Sequence, residues 1–264
     1  MKNFPTFSII TITLNNFDGF KKTAKSIENQ TFSNYEWLVI DGGSTDKTID
    51  FLREKRSNAR QDKYPFTFTS EKDDGIYDAM NKGISSAKGR YLIFLNAGDE
   101  LACSNILEKI APLTAKKPDF IYGDSLEPYK NKSIYKSARN HKDIAWGMFT
   151  HHQAMIYSRH KVRDHKMHYS LRYKISSDYD FTARFLQKFN NISYINQPIC
   201  IFEQGGISQK NAALGRKEQY IIRENLNMVT QPKNLWVLIS QSLSWRLKSI
   251  SPSIYNALKV FTIK

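Results

Sequence analysis

A chain of 264 residues, 41% of them apolar, has room for one large α/β domain or a domain with an appendage, and it is too apolar to be disordered. Its 39 Lys and Arg against 25 Asp and Glu leave a net charge of +14, which calls for an anionic partner: nucleic acid, an anionic membrane surface or a phosphorylated substrate. Two cysteines without paired spacing, Cys103 and Cys200, argue against a disulfide framework and a cysteine zinc site, and no run of 18 apolar residues is available for a membrane-spanning helix.

Phe7–Thr13 (FSIITIT) is β-branched and apolar, the pattern of a buried strand. Interrupted by Ser and Thr and followed by no small-residue cleavage site, it does not read as a signal peptide, so the expected compartment is the cytoplasm. Helical spacing predicts a helix over Phe20–Asn29. Tyr35–Asp41 (YEWLVID) reads as a second strand broken by Gly42-Gly43, with Ser44 or Thr45 placed to cap a helix from Asp46 to about Glu54. A weaker strand over Phe66–Ser70, a helix over Ile76–Ala87 and a fourth strand over Tyr91–Leu95 follow. This alternation, sustained to about residue 115, predicts an α/β fold with a largely parallel sheet flanked by helices, which binds ligands at the carboxyl ends of its strands. After Pro118 short strand-like pieces (Phe120–Tyr122, Gln153–Tyr157, Ile192–Ile195) alternate with polar, basic stretches, and helices are expected over Tyr179–Phe189 and Ala212–Met228.

Acidic residues recur where three successive strands end. Asp41 closes the second strand, Asp73-Asp74-Gly75 follows the third, and Asp99 follows the fourth. Each alone also suits a turn, a helix cap or a solvated loop. Together at a ligand-binding edge they suggest a divalent cation and, with it, a diphosphate. No Gly-x-Gly-x-x-Gly follows the first strand and no Gly-Lys-Ser/Thr phosphate loop is present, which disfavours a dinucleotide oxidoreductase and a P-loop NTPase.

The blocks FSIITITLNN (7–16), LVIDGGSTDKT (38–48), EKDDGIYDAMNKGI (71–84) and GRYLIFLNAGD (89–99) resemble, in order and spacing, the family 2 glycosyltransferases of the GT-A fold. The resemblance continues through IYGD (121–124), HHQAMIY (151–157), SSDYDFTARF (176–185) and QGGIS (204–208), and is nearest to enzymes of bacterial capsule, exopolysaccharide and O-antigen assembly. It implies a Rossmann-like sheet with a less regular acceptor half: a GT-A domain over 1–231, divided into a nucleotide-sugar half (1–115) and an acceptor and catalytic half (116–231), then a basic tail (232–264). It implies nucleotide-sugar contacts from Thr11, Leu14, Asp41, Asp74, Asn81, Lys82, Asn96 and Asp99. It implies a divalent metal, Mn²⁺ or Mg²⁺, on Asp99, although Gly98 stands where the family's Asp-x-Asp pattern has a second carboxylate. It implies an inverting reaction with Asp178 as general base and Asp180 as the alternative. His152, Gln153, Gly205, Gly206 and Ser208 are implied at the acceptor or diphosphate. The implied donor is UDP-linked, with GDP and dTDP open, and the implied acceptor is a lipid-linked saccharide.

From Leu235 to Ile250 the residues Trp236, Ile239, Leu243, Leu247 and Ile250 recur at helical spacing, and no acidic residue occurs after Glu224. An amphipathic C-terminal helix is expected, lying either on an anionic membrane surface, peripheral to the inner face of the plasma membrane, or against protein. A sugar nucleotidyltransferase is the second reading; its Gly-rich, basic loop after the first strand is replaced here by LNNFDGF. A nucleic-acid-binding protein, the third, is suggested by charge alone, and no known module for it is visible.

Overall fold

A computed structural model describes residues 4–58, 64–129 and 132–250. Four parallel strands form the first half of one nine-stranded sheet: β1 (Phe7–Thr13), β2 (Tyr35–Asp41), β3 (Phe66–Ser70) and β4 (Tyr91–Phe94), in the spatial order β3-β2-β1-β4. Every residue of β1, β2 and β4 is buried, which is why these segments are continuous apolar runs and not alternating ones.

The sheet continues past β4 with β8 (Met155–Ser158), β6 (Phe120–Tyr129), β9 (Ile192–Ile201) and the two-residue β5 (Glu100–Leu101), while β7 (Lys132–Lys136) forms a hairpin with β6. Here β8 runs antiparallel to both its neighbours and only β6 and β9 pair in parallel. The parallel character expected from the sequence therefore belongs to the first four strands, and the second half is mixed.

Helices cover both faces. α1 (Phe17–Glu28) and α2 (Thr48–Asn58) lie on one side, where Phe20, Ala24, Ile27, Trp37 and Leu52 share a core. α3 (Ile76–Ser86) and α6 (Ser177–Lys188) lie on the other, with Met80, Phe94, Tyr157, Phe181 and Phe185. Two start signals differ from expectation. α1 begins three residues before Phe20 because Asn16 caps it, Oδ1 accepting from the Gly19 N–H at 3.2 Å. Asp46, and neither Ser44 nor Thr45, caps α2: its Oδ1 accepts from the Thr48 N–H at 2.9 Å, and its Oδ2 accepts from the Phe17 N–H at 3.0 Å. One carboxylate thus fixes the starts of two helices beside the end of β1. Gly83 lets α3 lie close on β1, since a Cβ there would collide with Ile10.

The remaining helices are α4 (Ile106–Ile110), α5 (Arg159–Asp164), α7 (Ile207–Lys210), α8 (Ala212–Asn225) and α9 (Gln231–Ile250). α9 packs against α8 through fully buried Val237 and through Asn234, which accepts from Arg223 Nε at 2.6 Å and donates to the Tyr220 carbonyl at 3.0 Å. Leu235, Trp236, Ile239, Leu243 and Leu247 are exposed. None of the described helices is long and apolar enough to cross a membrane. Residues 251–264 of the expected tail lie outside the described residues.

Candidate active site

The carboxyl ends of β1 and β4 open onto a cavity of about 530 Å³, closed on its other sides by α3, the start of α6, the 148–153 segment and the 202–208 loop. Its chemistry is concentrated at two carboxylates.

Asp99, in the loop after β4, is 4% exposed. Its Oδ2 accepts from Gln153 Nε2 at 2.7 Å and its Oδ1 from the Glu203 N–H at 2.9 Å. Burial raises its pKa from 3.8 to about 7, and the neighbouring Glu203 charge adds to the rise. Gly98 has φ +106°, and a Cβ there would strike the Glu203 carboxylate. The space beside Asp99 that a side chain at 98 would need is thus held by Glu203, which also pairs with Lys22 at 3.2 Å. Asn96 lines the same end, and its buried Oδ1 finds no hydrogen-bond partner among the described residues.

Asp178 lies in the first turn of α6 and faces the cavity. Its Oδ1 accepts from the Tyr179 N–H at 2.8 Å and lies 3.4 Å from the Tyr77 hydroxyl. Burial raises its pKa to about 6 against the opposing effect of those hydrogen bonds. Asp180 turns away from the cavity and pairs with Arg184 at 2.7 Å, one turn along the same helix. Helical geometry separates the two: residues two apart point to different faces.

The adjacent histidines both line the cavity but differ in burial. His152 is buried, with Nε2 2.7 Å from the Tyr169 hydroxyl, and burial lowers its pKa to about 3, so it is neutral and braces the wall. His151 also lines the cavity, stacked on Phe202 with ring centroids 4.0 Å apart and Nε2 3.0 Å from Glu127 Oε1. That hydrogen bond, with Lys136 nearby, holds Glu127 at about 2, so the carboxylate stays ionised.

Of the other residues singled out from sequence, Leu14, Gln153, Gly206 and Ser208 line the cavity. Thr11 does not: it is fully buried and accepts from the Trp37 indole at 3.0 Å. Asp41 is fully buried behind the wall, where its Oδ2 accepts from the Gly43 and Ser44 N–H groups and the Ser70 hydroxyl, at 3.1, 3.0 and 2.7 Å, while Oδ1 is unpartnered among the described residues. Asp74 is exposed and outside the lining; its neighbour Asp73 takes that place, against Gly42. Asn81 clamps Tyr169, exchanging hydrogen bonds of 2.9 and 2.8 Å with its carbonyl and N–H. Lys82 is drawn to Glu71 and Asp78 at 2.9 and 3.4 Å, and Gly205 lies just off the wall. Asp73, His151, Lys174 and Glu203 are lining residues that the sequence reading missed.

The family profile described as glycosyl transferase family 2 matches residues 8–205. The chain belongs to that family. A PGL/p-HBAD biosynthesis glycosyltransferase of Mycobacterium bovis is 32% identical over 182 residues, covering 68% of this chain and 69% of the relative. Among solved structures, Staphylococcus aureus TarS 1-349 in complex with UDP-GlcNAc superposes with a TM-score of 0.69 at 18% identity, covering 97% of this chain and 76% of that one. The mannosyltransferase PcManGT of Pyrobaculum calidifontis, in complex with GDP-Man and Mn²⁺, gives 0.68 at 12%, covering 98% and 79%. The transferase therefore has the GT-A fold.

PcManGT is in complex with Mn²⁺ as well as GDP-Man. Among the described residues no three His, Cys, Asp or Glu side chains gather as a ready-made metal set. The donors present are nonetheless all oxygens: the Asp99 and Glu203 carboxylates and the orphaned Asn96 Oδ1. Such a set suits a hard cation that completes its shell with diphosphate and water oxygens.

Proposed function

We propose that the transferase moves a sugar from a nucleotide-sugar, UDP-linked, to a hydroxyl of a lipid-linked saccharide, with inversion at the anomeric carbon. The observation that carries this reading is Asp178: a carboxyl in the cavity wall whose pKa of about 6 suits a base that is ionised at neutral pH and still able to hold a proton. The UDP-GlcNAc complex of TarS supports the uridine donor, and the GDP-Man complex of PcManGT keeps GDP open.

Asp178 takes the proton of the acceptor hydroxyl as that oxygen attacks the anomeric carbon, and the nucleoside diphosphate leaves from the opposite face. Lys174, lining the cavity, meets its negative charge, and His151, which lines it too, offers a ring nitrogen for hydrogen bonding. A cation held by Asp99, Glu203 and Asn96 would supply further stabilisation of the diphosphate. Asp73 and Leu14 border the nucleoside, the 1–115 half takes the donor, and the 116–231 half presents the base to the acceptor. α9, with its exposed Trp236, Ile239, Leu243 and Leu247 and no acidic residue, rests on an anionic membrane surface and brings the cavity to the acceptor lipid.

Loss of a general base removes about 10²–10⁴-fold in rate, so Asp178→Asn should lower turnover by that factor while binding the donor. A folded Asp178→Asn variant with near-wild-type turnover would contradict the assignment.

A further inference from the structure

Asp178 is preceded by a short bent segment, Lys174-Ile175-Ser176, of which Lys174 and Ile175 line the cavity. Three consecutive backbone N–H groups here converge on one carboxylate. Glu218, on α8 and 7% exposed, accepts from the Lys174 N–H through Oε1 and from the Ile175 and Ser176 N–H groups through Oε2, each at 2.9 Å. We propose that Glu218 is a positioning residue for the catalytic base, fixing from α8 the segment that aims Asp178 into the cavity. This rests on the reading of Asp178 as the base.

The grip is stiff because the segment is held on all sides. The Ile175 carbonyl accepts from the Tyr77 hydroxyl at 2.7 Å, and that hydroxyl also faces Asp178 Oδ1. The Ser176 hydroxyl donates to the Gly215 carbonyl at 3.0 Å, so the α6 cap residue is tied to α8 and not to its own helix. At Gly215 a Cβ would come within 3.1 Å of Ile175, which keeps the two elements close. A charged acceptor bound to successive N–H groups forms stronger bonds than a neutral one, and a buried carboxylate needs them. α8 also follows α7, the short helix whose Ile207 and Ser208 line the cavity, with only Asn211 between them.

Glu218 acts on Asp178 through charge as well as position, since its buried carboxylate opposes ionisation of the second. The other groups facing Asp178 are Tyr77 from α3, Tyr157 from β8 and Tyr169 from the chain before α6, with Lys174 on the same cavity wall. The tyrosines are all held neutral by burial, which leaves Glu218 as the charge that opposes ionisation of Asp178.

The test uses carboxyl-¹³C aspartate labelling in the full chain, with Asp178→Asn identifying the Asp178 resonance, together with release of nucleoside diphosphate from whichever nucleotide-sugar stabilises the protein. Glu218→Gln keeps the side-chain length and removes the charge; Glu218→Asp keeps the charge and withdraws it by one methylene. In Glu218→Gln the Asp178 titration midpoint should fall by about half a pH unit or more. In Glu218→Asp the midpoint should stay near its wild-type value while kcat drops about tenfold to hundredfold with donor affinity unchanged. Should Glu218→Gln not fold, the kcat of Glu218→Asp decides alone. A folded Glu218→Gln with an unmoved midpoint, or a Glu218→Asp with wild-type kcat, overturns the proposal when Asp178→Asn is inactive. An active Asp178→Asn instead overturns the reading of Asp178 as base.

Discussion

Asp99 carries a measurable cost in the free protein, and its size follows from its surroundings. Its pKa in the fold is about 7 against an ordinary 3.8, so between those values the native state binds more protons than the unfolded chain. Stability must therefore fall as pH rises through that window and level off above it. The gap of about three pH units, at about 1.4 kcal/mol each, sets an upper limit of about 4 kcal/mol. Asp99→Asn removes this term at every pH. It also places an amide where Gln153 Nε2 and the Glu203 N–H both donate, which costs about 1–3 kcal/mol independently of pH. The diagnostic quantity is thus the slope: the stability of Asp99→Asn relative to wild type should climb from about pH 4 to about pH 7 and then stay flat. Urea titrations in steps of pH read this directly, because contributions from Asp178 and other groups not coupled to Asp99 cancel in the difference. Parallel curves for the two proteins would refute the account of Asp99.

If Asp178 is the base, it must be ionised to act, so kcat should fall as pH drops through about 6; a profile flat to pH 5 would argue against it. His151→Phe keeps the stack on Phe202 and removes the ring nitrogens that can hydrogen-bond the donor, and donor binding measured by calorimetry should weaken about tenfold, whereas His152→Phe, deprived of the Tyr169 bond, should lower Tm instead. Gly98→Asp, which restores an acidic residue at that position, should destabilise the protein by about 2 kcal/mol or more and not improve activity, because φ is +106° and Glu203 fills the space. Deleting residues after 231 should abolish flotation with anionic liposomes; unchanged partitioning would remove the membrane role of α9.

The first four strands were readable because β1, β2 and β4 are buried on both faces and punctuated by Gly and Asp. β6 and β9 run to ten residues each where only Phe120–Tyr122 and Ile192–Ile195 stood out. β9 is half-exposed along most of its length, and its pairing with β6 is broken by a register shift opposite Pro198, which lacks an N–H to donate, so neither alternation nor an unbroken apolar run marks it. At the site, motif resemblance reached segments that line the cavity, and tertiary packing decides which residue of each turns inward: Asp73 lines it where Asp74 does not, Asp178 where Asp180 does not, and His151 and His152 both do. Glu203 and Glu218 carried no signal at all: each is a single acidic residue whose partners, Asp99 and the 174–176 segment, are 104 and about 43 residues away along the chain.

The central claim is that the cavity binds a nucleotide-sugar. The most direct measurement is thermal stabilisation of the wild-type protein by a panel of UDP-, GDP- and dTDP-sugars, each with and without Mn²⁺, since a ligand bound only by the folded state raises Tm by an amount that grows with the logarithm of its concentration over Kd. A UDP-sugar should raise Tm, more strongly with Mn²⁺, and Asp99→Asn should abolish the Mn²⁺ increment. A Tm that none of the donors moves, with or without the cation, would contradict the claim.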